Sequence, residues 1–205
     1  VLDNVAAAPG ASNVARSSAG LPTFIRTNVE LEQGNLVSTL SGTTEGYPNA
    51  TVNEADAVTP LTEDALNDCI EKCWTSGAET SVAMVNSNNK RVISKTFTGS
   101  SQRYKDSVDK KLVAAVDIYT SDFNELQIVP NRFQPAINRS GTNDEFAVYL
   151  IDPSFVKIAE RESTKQKELA ETGHSRKRLL WREWGLQVDN EKALGMILGT
   201  SGASA

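Results

Sequence analysis

Residues 61–97 constrain the fold more strongly than any other stretch, because they contain a complete helix–strand–helix pattern. Thr62 is a suitable N-cap, and Glu63 and Asp64 then place negative charge at the positive end of the helix dipole. Apolar residues recur at three- and four-residue steps and give the helix one apolar face: Leu66, Cys69, Ile70, Cys73 and Trp74. Because Gly77 can adopt the left-handed conformation that ends a helix, the pattern predicts a helix that stops just before it.

The segment SVAMV at 81–85 is short, apolar and partly β-branched, which is typical of a strand covered on both faces. Turn and cap residues follow at 86–89, and Val92, Ile93 and Phe97 give a second, shorter helix its apolar side. A unit of this kind needs a sheet to pack against. The rest of the chain must therefore supply further strands.

Alternating and apolar runs predict those strands at 21–25, 112–120, 125–129, 145–151, 155–159 and 180–188. The runs at 112–120 and 125–129 flank a turn, so we expect them to form a hairpin. In 180–188, Trp184 is assigned to core packing; a helix would also suit this run, but Gly185 disfavours it. The charged stretch 160–171 is interpreted as a loop or a solvated helix. Residues 191–198 are predicted to form a short helix after an Asp-Asn cap, and the fold class is α+β.

The charge of the chain limits its function. The formal net charge is −5, without a strongly basic patch, which argues against nucleic-acid binding as the main function because that binding depends on Lys and Arg. No apolar run approaches the roughly 20 residues that would cross a membrane.

The residues that usually carry catalytic chemistry are sparse. Cys69 and Cys73 lie four residues apart on one helix, where they are interpreted as small core residues. His174 is the only histidine and is distant in sequence, so neither a metal site nor a catalytic triad is expected. No phosphate-binding glycine loop or nucleophile elbow occurs. The sequence therefore predicts no catalytic, metal-binding or cofactor-binding residues and a protein that is not an enzyme.

The run from 176 to 184 combines basic and aromatic residues. Arg176 and Arg178 belong to a small basic cluster that suits a solvated strand edge or an anion site. Trp181 and Arg182 are residue types enriched at the centres of protein interfaces. These four residues are the predicted intersubunit contacts. The long irregular stretch 11–60 also indicates a need for partners, since such stretches are uncommon inside a compact domain.

Taken together, several segments resemble the major head proteins of tailed bacteriophages. These are 61–97, then KKLVAAVDIYTSDFNELQIVPNRFQP at 110–135, then LAETGHSRKRLLWREWGLQVDNEKALGMI at 169–197. The opening, VLDNVAAAPGASNVARSSAGLPTFIRTNV, resembles the end of that family's long helix and its Gly-rich connection. The likeness covers nearly the whole chain in order.

This resemblance implies the Hong Kong 97-type capsid fold, with an axial and a peripheral domain. Residues 1–60 would hold the end of the spine helix and an irregular connection, 61–145 the axial domain, and 146–205 the return to the peripheral domain. The family's N-terminal arm, extended loop and most of its spine helix have no counterpart here, which suggests that a portion before Val1 is not represented.

The resemblance also implies a function. The chain would be a major capsid subunit that assembles into pentamers and hexamers of an icosahedral head enclosing double-stranded DNA. Its partners would be further copies of itself, with portal, scaffold or decoration proteins, and only weak non-specific contact with DNA. It would be made in the bacterial cytoplasm and end in the virion, without a cofactor. The alternative is a head-decoration or receptor-binding module; an enzyme is the weakest interpretation.

Overall fold

A computed structural model describes residues 18–32, 55, 57–97, 117–137, 145–170 and 173–201. Within these ranges the helices are α1 (Glu63–Thr75) and α2 (Ser87–Thr96). The strands are β1 (Val29–Leu31), β2 (Val82–Val85), β3 (Ile118–Thr120), β4 (Glu125–Pro130), β5 (Glu145–Ile151), β6 (Val156–Glu168), β7 (Arg178–Val188) and β8 (Leu194–Ser201).

The helix–strand–helix unit forms as its sequence predicts. The Thr62 hydroxyl accepts a hydrogen bond from the backbone N–H of Ala65 at 3.3 Å. Gly77 follows α1 with a φ of +87°, the left-handed conformation that favours glycine. Asn86 caps α2 by accepting a hydrogen bond from the backbone N–H of Asn89 at 2.8 Å. Both helices therefore begin at side-chain caps that can be identified from sequence.

Strands from widely separated parts of the chain meet in one sheet, in the order β1-β8-β5-β2-β4-β3. β1 pairs with β8, and β2 with β4, in parallel. The remaining pairs are antiparallel, and they include the predicted β3–β4 hairpin. Every residue of β8 except the last is buried. β8 and β5 are therefore central strands, covered on both faces.

The two faces of the sheet are covered by different elements. On one face α1 and α2 pack against alternate residues of β2, β4, β5 and β8, around Leu66, Ile70, Ile93, Leu150 and Ile197. On the other face, the turn at Leu21–Thr23 and Ile25 cover residues such as Tyr149 and Met196. The base of the β6–β7 hairpin packs on this second face through Val156, Leu186 and Val188.

Helix α1 approaches β8 very closely at Gly195. A Cβ atom at this position would lie 2.7 Å from the Sγ of Cys73 and 2.8 Å from the Sγ of Cys69. Both cysteines are fully buried and neither forms a disulfide. The interpretation of the two cysteines as core residues is confirmed, and their contact explains why a glycine stands opposite them.

Three secondary-structure predictions were wrong. The segment 191–198 is not a helix: Glu191–Ala193 is a single 3-10 turn, and the rest belongs to β8, whose pairing on both sides satisfies its backbone. The segment 160–171 is mostly strand, because β6 continues to Glu168 along β7. The segment 21–25 does not form a strand. It contains a 3-10 turn, Leu21–Thr23, with a proline in its first positions.

Two tryptophans assigned to apolar packing are exposed instead. Trp74 is 51% exposed and Trp184 is 46% exposed. The predicted strand at 112–120 is described only from residue 117, and its start lies outside the described residues, as does the opening of the chain. The six-stranded sheet takes strands from all three predicted segments, 1–60, 61–145 and 146–205. The assignment of these segments to capsid domains stays a prediction.

Candidate intersubunit surface

The β6–β7 hairpin contrasts with the sheet in its exposure. β6 has 13 residues and β7 has 11, but neither contains a buried residue. At about 3.3 Å per residue, β7 is roughly 36 Å long. Only the base of the hairpin packs on the sheet, so most of this length projects from the rest of the described fold.

Exposed ion pairs join the two strands of the hairpin. Arg178 pairs with Glu168 at 3.1 Å, and Arg161 pairs with Glu183 at 3.2 Å. Arg182 pairs with Glu160. Exposed pairs of this kind each contribute only about 0–1 kcal/mol. These ion pairs therefore contribute little to the stability of the hairpin.

Apolar side chains continue along one face of the hairpin beyond its partly buried base. Strand alternation places Leu180, Trp184 and Leu186 of β7 on one face, and Ile158 pairs opposite Leu186 on β6. Leu180 is 66% exposed and Ile158 58% exposed. A row of large apolar residues, interrupted by Arg182, thus runs from the second face of the sheet out into solvent.

Such a hairpin is incomplete by itself. A two-stranded ribbon is at best marginally stable in water unless a third strand or another surface packs on it. Contiguous exposed apolar residues rimmed by charges are typical of protein–protein contact surfaces. The β6–β7 hairpin is therefore the part of the described structure best suited to contact another subunit.

All four predicted contact residues lie on or beside this hairpin. Arg178, Trp181 and Arg182 belong to β7, and Arg176 lies in the segment that leads into it. Alternation places Arg178 and Arg182 on the face with Leu180, whereas Trp181 lies on the opposite face. The four residues thus share one ribbon but not one face, and their role as contacts stays a prediction.

Trp181 has a defined partner across the hairpin. Its Nε1–H donates a hydrogen bond to Oε2 of Glu162 at 2.7 Å. This hydrogen bond, followed by the nearby ammonium of Lys165, lowers the pKa of the Glu162 carboxyl. The pair fixes the indole on the face of the ribbon opposite to that of Leu180.

Sequence reasoning missed the apolar contribution to this surface. The sequence predicts Ile158 and Leu180 as ordinary strand residues and Trp184 as a core residue, but all three are exposed. A signal was present, because Ile158 is the only large apolar residue in 157–168, which contains seven Glu, Lys and Arg residues. A strand in such a polar neighbourhood cannot be covered by its own chain on both faces.

The described residues offer little that points to other chemistry. The hydrogen bond between Cys69 and Cys73 raises the pKa of the Cys69 thiol and lowers that of the Cys73 thiol, but both side chains are fully buried, as expected of packing residues. Within the described ranges, no three His, Cys, Asp or Glu side chains are grouped to hold a metal ion. None of the described helices combines the length and apolarity needed to cross a membrane.

Comparison with known protein families gives a match over nearly the whole chain. A sequence model of the SU10 major capsid protein family matches residues 1–201. No curated protein matches the chain significantly. The family match covers both the six-stranded sheet and the β6–β7 hairpin.

Among solved structures, the holo-SrpI encapsulin complex from Synechococcus elongatus has a TM-score of 0.50 and 10% sequence identity to this chain. The match covers 91% of this chain and 58% of the encapsulin chain, so the chain spans little more than half the length of that protein. At this identity the likeness shows the fold alone. The predicted α+β capsid fold is confirmed.

Two further structures are more distant. A virus-like particle from Pyrococcus furiosus has a TM-score of 0.35 and 12% identity, and the match covers 69% of this chain and 55% of the particle's chain. A structure from Mycobacterium phage Ogopogo has a TM-score of 0.35 and 9% identity, and covers 87% of this chain and 64% of its own.

Proposed function

Because the chain belongs to the SU10 major capsid protein family, we propose that many copies of it assemble into pentamers and hexamers of an icosahedral phage head that encloses double-stranded DNA. The observation that carries the proposal is the family match over residues 1–201. The fold likeness to an encapsulin supports it, and favours a shell subunit over a head-decoration or receptor-binding module.

The β6–β7 hairpin is the contact that we assign to this assembly. Its exposed apolar row and its weakly held strands would be stabilised if a neighbouring subunit packed on them. Arg176, Arg178 and Arg182 would provide charged contacts around that row, and Trp181 would contribute from the opposite face. Contacts between different patches of identical subunits generate closed rings when the rotation closes, as pentamers and hexamers require.

We place the axial domain around the six-stranded sheet with α1 and α2, and the peripheral domain around the β6–β7 hairpin. This keeps 61–145 in the axial domain and adds β1, β5 and β8, which pair in the same sheet. The protein would act in the virion capsid after synthesis in the cytoplasm of the bacterial host. Portal, scaffold or decoration proteins would be additional partners, and DNA would be contacted only weakly, as the net charge of −5 suggests.

The test is the assembly state and the copy number of the native protein. We expect the expressed protein to sediment as large particles that appear as closed shells in electron micrographs. In purified virions, quantitative gel analysis should find it among the most abundant proteins. A protein that stays monomeric at all concentrations, or that is present in a few copies per virion, would contradict the shell role.

A further inference from the structure

Helix α1 and the β3–β4 turn form an exposed surface of acidic and aromatic residues. We propose that this surface receives the basic tip of the β6–β7 hairpin from a second copy of the chain. The inference rests on the proposed shell function and identifies which two patches meet. We define the acidic face as Glu63, Asn67, Glu71 and Trp74 of α1 with Asp122 and Phe123 of the turn.

The β3–β4 turn is fixed along one flank of α1, which makes the acidic face a single surface. The Tyr119 hydroxyl lies 3.0 Å from Oε1 of Glu63 and 2.9 Å from Oδ1 of Asn67. About two helical turns beyond Asn67, the rings of Trp74 and Phe123 have centroids 5.2 Å apart and planes tilted by 34°. The flank is therefore held at both ends.

An aromatic pair is exposed at one end of the acidic face. Trp74 is 51% exposed and Phe123 is 41% exposed, although the two rings contact each other. Large aromatic residues are enriched at interfaces, and Trp is the residue type most typical of binding hot spots. The pair is suited to pack against a partner that removes it from water.

The charges around this pair are acidic. Helix α1 contains four acidic residues and a single basic one, Lys72. The ammonium of Lys72 pairs with Glu30 of β1 and so is directed away from the turn. Asp122 adds a further carboxylate beside Phe123. A partner for this surface should therefore carry positive charge.

The tip of the hairpin has the complementary charge. Its described residues, 165–170 and 173–178, contain five basic residues, Lys165, Lys167, Arg176, Lys177 and Arg178, against the acidic Glu168, a net charge of +4. This is a local reversal in a chain whose net charge is −5. Arginine guanidinium groups also stack on aromatic rings, best on Trp, so the tip matches the acidic face in both charge and chemistry.

The geometry favours a second copy as the source of the tip. Helix α1 packs on one face of the six-stranded sheet, whereas the hairpin base packs on the opposite face. From Val188 at the base to Arg178 near the tip, the ribbon runs about 33 Å at roughly 3.3 Å per residue. Phe155, at the hairpin base, also packs with Cys73 of α1. The ribbon beyond its base contains no buried residue, so the tip is available to a second copy. Tip and acidic face are different patches, so the contact is head-to-tail and can close into a ring.

Charge exchange tests the pairing. In the full chain, Glu71→Arg with Asp122→Arg reverses the acidic face, and Arg176→Glu with Arg178→Glu reverses the tip. We expect each double variant to raise the concentration needed for assembly about tenfold or more, because like charges then oppose each other. The quadruple variant should return toward the wild type, as measured by sedimentation velocity and electron microscopy. Higher salt should weaken wild-type assembly.

The outcomes separate the two proposals. If the wild type forms no particles under any condition, the shell function fails. If the wild type assembles but the acidic-face variant assembles equally well, or the quadruple variant shows no recovery, the shell function stands and the pairing is wrong.

Cross-linking provides a second measurement that does not depend on loss of assembly. Glu71→Cys and Arg178→Cys variants are mixed and treated with a short thiol cross-linker; Cys69 and Cys73 are buried. We expect a covalent dimer that contains one chain of each kind. Thr96→Cys, on the exposed side of α2, replaces Glu71→Cys in the matched control and should give little product. Equal yields from the two mixtures would overturn the assignment.

Discussion

The six-stranded sheet and the β6–β7 hairpin are both built from paired strands, but different forces hold them. In the sheet, β8 is buried over nearly its whole length between β1 and β5, and α1 and α2 cover one face. In the hairpin, no residue is buried, and exposed ion pairs take the place of a core. Burial of apolar surface stabilises far more than exposed charge pairs do.

This difference indicates where the folding of a subunit ends and where assembly begins. The sheet with its helices contains buried core clusters formed within the chain itself. The hairpin leaves apolar residues such as Leu180 and Ile158 in water, which is unfavourable until another surface covers them. Under the proposed function, contact with a neighbouring subunit would stabilise the hairpin more than its own chain does.

The largest difference in the free energy of unfolding is expected between two leucine-to-alanine variants, one in the sheet and one in the hairpin. Leu150→Ala in β5 should lower the free energy of unfolding of the isolated subunit by about 2–5 kcal/mol, because Leu150 is fully buried. Leu180→Ala, at a 66% exposed position, should change it by less than about 0.5 kcal/mol. Chemical denaturation measures both.

The same Leu180→Ala variant should reduce assembly, because the apolar contact that it removes forms only when a neighbouring subunit packs on Leu180. Assembly is followed by sedimentation. If Leu180→Ala destabilised the isolated subunit as much as Leu150→Ala, the hairpin would have a core of its own and the contrast between the two regions would be wrong.

A smaller effect is expected at the contact between α1 and β8. Gly195→Ala would place a Cβ less than 3 Å from both cysteine sulfurs and should destabilise the subunit by about 1–3 kcal/mol. Gly185→Ala is the control in the hairpin, where the nearest atom, Oγ of Ser18, is 3.9 Å away, and it should have little effect.

Replacing Cys69 and Cys73 by alanine together with Gly195→Ala should recover part of the loss, because the added methyl group then finds space. The melting temperatures of the wild type, the Gly195→Ala variant and the triple variant measure this recovery. No recovery would show that the strain at Gly195 arises elsewhere than at the sulfurs.

The smallest effect is a pH dependence within the hairpin. The folded-state pKa of Glu162 is lowered, first by the hydrogen bond from Trp181 and then by Lys165. The ionised Glu162 carboxylate therefore contributes fully to folding stability above its unfolded-state pKa. This contribution is lost as the pH falls through the lower folded-state pKa. The indole N–H resonance of Trp181 should titrate below the usual range of a glutamate, and Glu162→Gln should abolish that titration. A midpoint in the ordinary range would contradict the contact.

The sequence was informative where local rules decide the structure. Thr62, Asn86 and Gly77 define helix ends through caps and backbone conformation, which depend on a few neighbouring residues. The apolar face of α1 and the turn between β3 and β4 are also local signals. The position of the candidate surface was predicted in part, because its arginines and Trp181 have residue types typical of interfaces.

The sequence alone could not decide features that depend on distant partners. The run LGMIL at 194–198 suits either a buried helix or a buried strand, because periodicity cannot separate them in so short a segment. Only pairing with β1 and β5 makes it strand β8. In the same way, the charged run that ends at Glu168 is extended because β7 lies beside it.

The amino-acid sequence by itself determined the helix caps, the β3–β4 turn, the close-packed cysteines and the resemblance to a capsid family. The tertiary structure decided which strands are central and which side chains remain in water. It placed Trp74 and Trp184 at the surface, although both fit an apolar pattern. The physical reason is that caps and turns depend on adjacent residues, whereas burial depends on segments far apart in the chain that cover one another.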